Sequence, residues 1–107
     1  MICIDVFYNE DGMISGFHVC GHSGTAKRGR DIVCAGISAL AQTALLGIGK
    51  HLHREADCHV DPSGDLLLKL KGAPDDLTQA ILETMRLGFA EISKANPSAV
   101  LLKTRRG

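Results

Sequence analysis

Tryptophan is absent from this chain, and one Tyr with three Phe holds the aromatic share to 4% of 107 residues. A core built on stacked rings is excluded. Packing must rest on the aliphatic side chains that dominate a hydrophobic share of 45%. Net charge is lacking too, because 12 Lys and Arg balance 12 Asp and Glu. A general nucleic-acid binder carries a basic excess, so direct nucleic-acid binding is not expected. Two local basic runs remain, Lys27-Arg28-Gly29-Arg30 and Lys103-Thr104-Arg105-Arg106, and the second reads as a solvated end. No basic leader followed by a long apolar run opens the chain. The longest apolar stretch, Ile37 to Ile48, is interrupted by Ser38, Gln42, Thr43 and Gly47. At that length and polarity no membrane span is expected. A cytoplasmic setting follows, where Cys3, Cys20, Cys34 and Cys58 are expected as free thiols. Length implies one domain, 1–107, of modest stability that dimerisation would help.

What is present is a clear alternation of elements. Ile2, Ile4, Val6 and Tyr8 alternate with Cys3, Asp5 and Phe7, which is the period of a strand. Asn9-Glu10-Asp11-Gly12 has turn chemistry, and a second strand over about 14–21 completes a hairpin. On that strand Phe17 and Val19 share the core face, while His18, Cys20 and His22 share the other. Residues 23–30 carry two glycines and three positive charges without apolar periodicity, and read as a loop. Asp31 is placed to cap a helix whose apolar residues run to about Leu52, weakened at its end by Gly47 and Gly49. A second hairpin follows from 55–60 and 65–71, turned at Pro62-Ser63-Gly64. Asp75 or Asp76 caps a second helix with Leu77, Ile81, Met85, Gly88 and Ile92 on one stripe, ended by Asn96-Pro97. A last strand spans about 99–104. The expected class is α+β in the order ββαββαβ, a largely antiparallel sheet with two helices packed on one face.

Chemistry concentrates between Gly21 and Ser38. With Asp31 as cap, Cys34 falls in the first helical turn, near unpaired amides and the positive end of the macrodipole. Both favour thiolate, the nucleophilic form. The same amides can donate to a developing oxyanion. His22, at a strand end, can be carried to Cys34 by the intervening segment and serve as its base. Asp31 can cap the helix, orient the imidazole, or both; capping is the simpler duty. Ser38, one turn beyond Cys34, either hydrogen-bonds near the site or permits close helix packing. A Cys in an apolar helix is otherwise a small buried hydrophobe. The conjunction of strand-end His, Gly-containing loop, Asp and Cys favours catalysis.

Gly21-His22 and Asp31-Ile32-Val33-Cys34-Ala35, with Ser38-Ala39-Leu40 beyond and eleven residues between His22 and Cys34, resemble the ribosomal-processing cysteine protease Prp family. The order of elements agrees over essentially the whole chain. The resemblance implies a cysteine endopeptidase with His22 and Cys34 as catalytic residues, supported by Gly21, Asp31 and Ser38, acting without a cofactor or metal. It implies a homodimer whose partner is a peptide segment of a ribosomal protein precursor. In the family a short N-terminal extension is removed from a large-subunit ribosomal protein, the twenty-seventh, during ribosome assembly. It also implies that residues 23–30 cover the cleft and move when peptide binds. The chain departs from the commoner pattern at Ser23, where Ala is usual, and at Thr25-Ala26-Lys27-Arg28, which replaces a more aromatic and acidic run.

Three other readings compete. His18, Cys20 and His22, with Cys34, Cys58 and His59, could bind a metal, but no CxxC pair appears. The basic run before the helix could hold a phosphate in a non-catalytic ribosome- or RNA-associated dimeric module. It is no Walker loop, because Arg30-Asp31 stands where Lys-Ser/Thr belongs. A structural dimer without a substrate is the third, and intact His22 and Cys34 argue against it. His51, His53 and His59 read most simply as solvated surface residues.

Overall fold

Seven regular elements and one irregular turn follow one another as β1 (Ile2–Tyr8), β2 (Ile14–Cys20), α1 (Arg28–Leu46), a π-helical turn (Gly47–His51), β3 (Ala56–Val60), β4 (Leu66–Leu70), α2 (Asp76–Ala95) and β5 (Val100–Arg106). The structure is a computed structural model describing residues 1–21 and 28–107, with side chains described at 1–21 and 32–107. The expected order ββαββαβ is found. Five strands form one sheet in the order β3-β4-β2-β1-β5. All neighbours are antiparallel except β1 and β5, which run parallel from Ile2–Val100 to Tyr8–Arg106.

Alternation along the strands sets the layers. Ile2, Ile4 and Val6 of β1 are buried, as are Phe17 and Val19 of β2 and Leu66 and Leu68 of β4. They line up across the sheet as Val6–Phe17–Leu68 and Ile4–Val19–Leu66. Ile37, Ala41, Ala44 and Ile48 from the first helical stretch, and Leu82, Met85 and Phe89 from α2, close over them. Phe17 and Phe89 meet edge to face at 6.1 Å, the one aromatic pair among the described residues. Among the described residues the opposite face of the sheet carries no helix, and it bears Cys3, Asp5, His18 and Cys20, as the alternation predicts. There Arg105 bonds Asp5 at 2.7 Å, and the Lys69 ammonium lies 4.8 Å from the centre of the Phe7 ring.

The two helices approach closely because small residues face large ones. A Cβ added at Gly88 would lie 2.7 Å from a Leu40 methyl; at Gly47 it would lie 3.1 Å from Ile81, and at Gly36 3.3 Å from Ile92. This corrects the single stripe expected on α2. Leu82, Met85 and Phe89 face the sheet, Ile81, Gly88 and Ile92 face the other helical stretch, and Leu77 is exposed. The apolar run is also wider than the sequence reading allowed. Residues Ile32–His51 are long and apolar enough, by length and composition, to cross a membrane. In this fold that segment supplies one wall of the core. Its α-helical geometry ends at Leu46, and the glycines foreseen as weak points fall in the π turn.

Asp75 caps α2. Its side chain accepts from the Thr78 amide at 2.9 Å, and Thr78 Oγ1 accepts from the Asp75 amide at 2.9 Å. Thr78 is thereby the buried polar residue of the core. Arg54 reinforces the cap, pairing with Asp75 at 3.3 Å and donating to the Lys71 and Ala73 carbonyls. The Thr78 amide, with help from Arg54 and against partial desolvation, holds the Asp75 carboxyl below its ordinary value. A folded value below the unfolded one stabilises at neutral pH and is lost as pH falls through the folded value. Asp75→Ala should therefore lower the urea midpoint at neutral pH, with the gap to wild type narrowing below about pH 4. A gap that stays constant into acid would contradict this role.

Candidate active site

Two structural features bound the segment that carries the candidate residues. β2 ends at Cys20, and Gly21 follows with φ 90, a conformation that suits glycine. A methyl group at Gly21 would overlap the Met1 carbonyl, so the chain leaves the sheet pressed against the start of β1. His22 and residues 23–27 lie outside the described residues. The chain is next described at Arg28, already helical.

That start corrects the expected cap. Asp31 is the fourth residue of α1 and does not begin it; Arg28, Gly29 and Arg30, read from sequence as loop, are helical. Cys34 is accordingly the seventh residue and stands in the second turn. Its amide belongs to the internal hydrogen-bond ladder, while the unpaired amides are those of residues 28–31. The oxyanion donors inferred from a first-turn position are therefore displaced by one turn from Cys34. The side chain recovers part of that distance, because Cα–Cβ bonds on a helix tilt toward its N-terminus.

Cys34 is half-buried and packs against the edge of the core. Ser38 and Gln42 follow at intervals of four and share its side of the helix. This line of polar residues borders a crevice. Ser38, Ala41 and Gln42 on one wall, and Val19, Val60, Gly64 and Leu66 on the other, enclose a cavity of about 40 Å³. Val19 is two residues before Gly21, so the exit of β2 lies beside the turns of α1 that carry Cys34 and Ser38. The structure thus places Val19, near the end of β2, beside Ser38 of α1, with Cys34 one turn earlier on the helix and Asp31 most of a turn before that. The crevice residues Val60, Gly64 and Leu66 were missed by sequence reasoning, since they come from a hairpin far along the chain. The Cys34–Ser38–Gln42 spacing was the one legible sign of that wall.

The other thiols differ in setting. Burial, then the neighbouring Cys3, pushes the Cys20 thiol up; burial, then Asp57, pushes the Cys58 thiol up. His18 and Cys20 lie on the helix-free face of the sheet, and Cys34 lies on the helical side. The donors of the metal reading are thus divided between two faces. Among the described residues no group of three His, Cys, Asp or Glu side chains converges. His51, His53 and His59 are exposed.

A family model described as cysteine protease Prp matches residues 1–101. A ribosomal processing cysteine protease Prp of Staphylococcus aureus is 29% identical over 97 residues, covering 88% of this chain and 90% of that protein. Two solved structures of an essential ribosomal processing protease Prp from S. aureus share the fold. One, in complex with a substrate peptide, superposes with a TM-score of 0.89 at 25% identity, covering 98% of this chain and 100% of the other. The second, with a covalently linked product peptide, gives 0.87 at 26% identity with the same coverage.

A raised thiol has less thiolate at neutral pH and reacts more slowly. Iodoacetamide near pH 7 should therefore modify Cys34 ahead of Cys20 and Cys58, read by peptide mass mapping. Labelling of all three at one rate would count against a privileged sulfur at position 34.

Proposed function

Because the chain belongs to the cysteine protease Prp family, we propose that it removes a short N-terminal extension from a large-subunit ribosomal protein, the twenty-seventh, using Cys34 and His22. The match across residues 1–101 carries this reading, for it spans Gly21-His22 and the Asp31–Cys34 segment whole. The S. aureus relative with a covalently linked product peptide supports it, since an acyl-enzyme route passes through a peptide bonded to the enzyme.

In this mechanism the Cys34 thiolate attacks the scissile carbonyl and the C–N bond breaks as His22 gives a proton to the leaving amine. His22 then takes a proton from water, which attacks the thioester and frees the acyl product. Free amides at the start of α1, toward which the Cys34 side chain leans, are donors for the oxyanion in this mechanism. The crevice at Ser38 and Val60 accepts a small portion of the peptide beside the reacting bond.

A cytoplasmic location and a homodimer belong to the same reading. Leu77 and Leu87 are exposed on the helical layer, and an apolar hollow of about 400 Å³ opens there between Leu40, Ala44, Ile81 and Met85. These features support an interface between copies. Sedimentation equilibrium should give twice the chain mass of 11.4 kDa; a monomer at micromolar concentration would remove the dimer from the proposal.

The central test uses a peptide copied from the precursor's N-terminus, with cleavage followed by mass spectrometry. Cys34→Ala, Cys34→Ser and His22→Ala should keep the wild-type fold by circular dichroism and lose on the order of a thousandfold or more in kcat/KM. Undiminished cleavage by either Cys34 variant would end the proposal.

A further inference from the structure

The helix-free face of the sheet holds two thiols side by side. Cys3 of β1 and Cys20 of β2 are direct register partners. Both are half-buried and free. The Ile2 amide donates to the Ala99 carbonyl, on the side of β5. The odd-numbered residues of β1 therefore turn their amides and carbonyls toward β2, which makes Cys3–Cys20 a hydrogen-bonded pair with Cα atoms about 5.5 Å apart. Disulfides bridge Cα separations of about 4.4–6.8 Å. Cβ atoms of such a pair lie about 5 Å apart and must draw in to about 4 Å. A bridge closed against that resistance is reducible, as strained and accessible disulfides are.

We propose that Cys3 and Cys20 form a reversible disulfide site, closed by exchange with a small-molecule disulfide and reopened by small thiols. One cysteine thiolate attacks the small disulfide, forming a mixed disulfide and expelling one small thiolate. The second cysteine, deprotonated, attacks the protein sulfur of that mixed disulfide and expels the other. The two cysteines give up two electrons and two protons, and the small disulfide becomes two thiols. Neighbouring groups fit a quiet resting state. Asp5 and Asp65 add to the burial and the Cys3 contact that push the Cys20 thiol up, with Lys103 opposing. Thiolate forms sparingly at Cys20, so exchange there is slow at neutral pH.

Location gives the bridge its consequence. Cys20 is the last residue of β2, and Gly21, pressed on Met1, separates it from His22. A bond from Cys20 to β1 fixes the strand end from which His22 departs. That consequence rests on His22 being the base, whereas the disulfide itself does not.

The full chain should be equilibrated across buffers of reduced and oxidised glutathione, quenched in acid, alkylated and mapped by mass spectrometry. The expected result is joint loss of two alkylation sites, with one cross-linked peptide joining residues 3 and 20. Cys3→Ser and Cys20→Ser should each abolish that species, and Cys58→Ser should leave it unchanged. Separate glutathione adducts on Cys3 and Cys20 without the bridge, a bridge to Cys34 or Cys58, or four intact thiols in fully oxidised buffer would each overturn the proposal. The wild-type map decides even where a serine variant fails to fold. Because that map reads mass, its outcome is independent of whether the chain cleaves peptide.

Discussion

The register between β1 and β2 is the constraint on which the rest depends. Among the described residues helices cover only one face of the sheet, so Ile4 and Val6 must lie opposite Val19 and Phe17. A slip of either strand by one residue would send its own pair, Ile4 and Val6 or Phe17 and Val19, to the open face and put Cys3 and Asp5, or His18 and Cys20, into an apolar layer. Burial of a side chain such as Phe17 is worth about 1.5–3 kcal/mol, whereas total stability for a domain is about 5–15 kcal/mol. Several such residues lost together leave nothing to hold the fold. The same register ends β2 at Cys20 and fixes where the chain departs toward His22. Site geometry is in this sense a by-product of hydrophobic alternation.

The helical layer is held by a second kind of fit. Gly36, Gly47 and Gly88 each lie under a branched side chain of the opposing helical segment, at Ile92, Ile81 and Leu40. These contacts position the long helix against α2 while Ile37, Ala41 and Ala44 press on the sheet. Cys34 lies at the margin of that contact, half in the core and half out. Packing of this kind fixes the direction of a side chain while its exposed edge stays open to solvent.

Much of this was legible in the residues. Period-two alternation located β1 and β2, and Asp75 announced the start of α2. The start of α1 was not legible. Asp31 has the chemistry of a cap, yet Arg28 to Arg30 join the helix ahead of it, and nothing local distinguishes a basic loop from a basic first turn. The α2 stripe misled because a helix wedged between a sheet and another helix buries two faces, so Leu77 matched the period and still faces water. Thr78 is buried instead, closed over by its own capping box. The parallel pairing of β5 depends on where α2 delivers the chain, which no window of sequence contains. Around the candidate site, Gly21, His22, Cys34 and Ser38 are proposed from motif spacing, which is local. Val60, Gly64 and Leu66 were not, since tertiary folding alone brings that hairpin to the helix.

The pairing of β1 with β5 has a consequence during synthesis. Ile2 to Tyr8 find their outer partner only in Val100 to Arg106. On an elongating ribosome, adding about 5–20 residues per second, β1 emerges well before β5 and leaves one row of amides and carbonyls unanswered until β5 is made. Hairpins and helices can assemble meanwhile, but the sheet is sealed only after release of the last strand from the exit tunnel. Until then nascent chains hold an open strand edge that chaperones can shield.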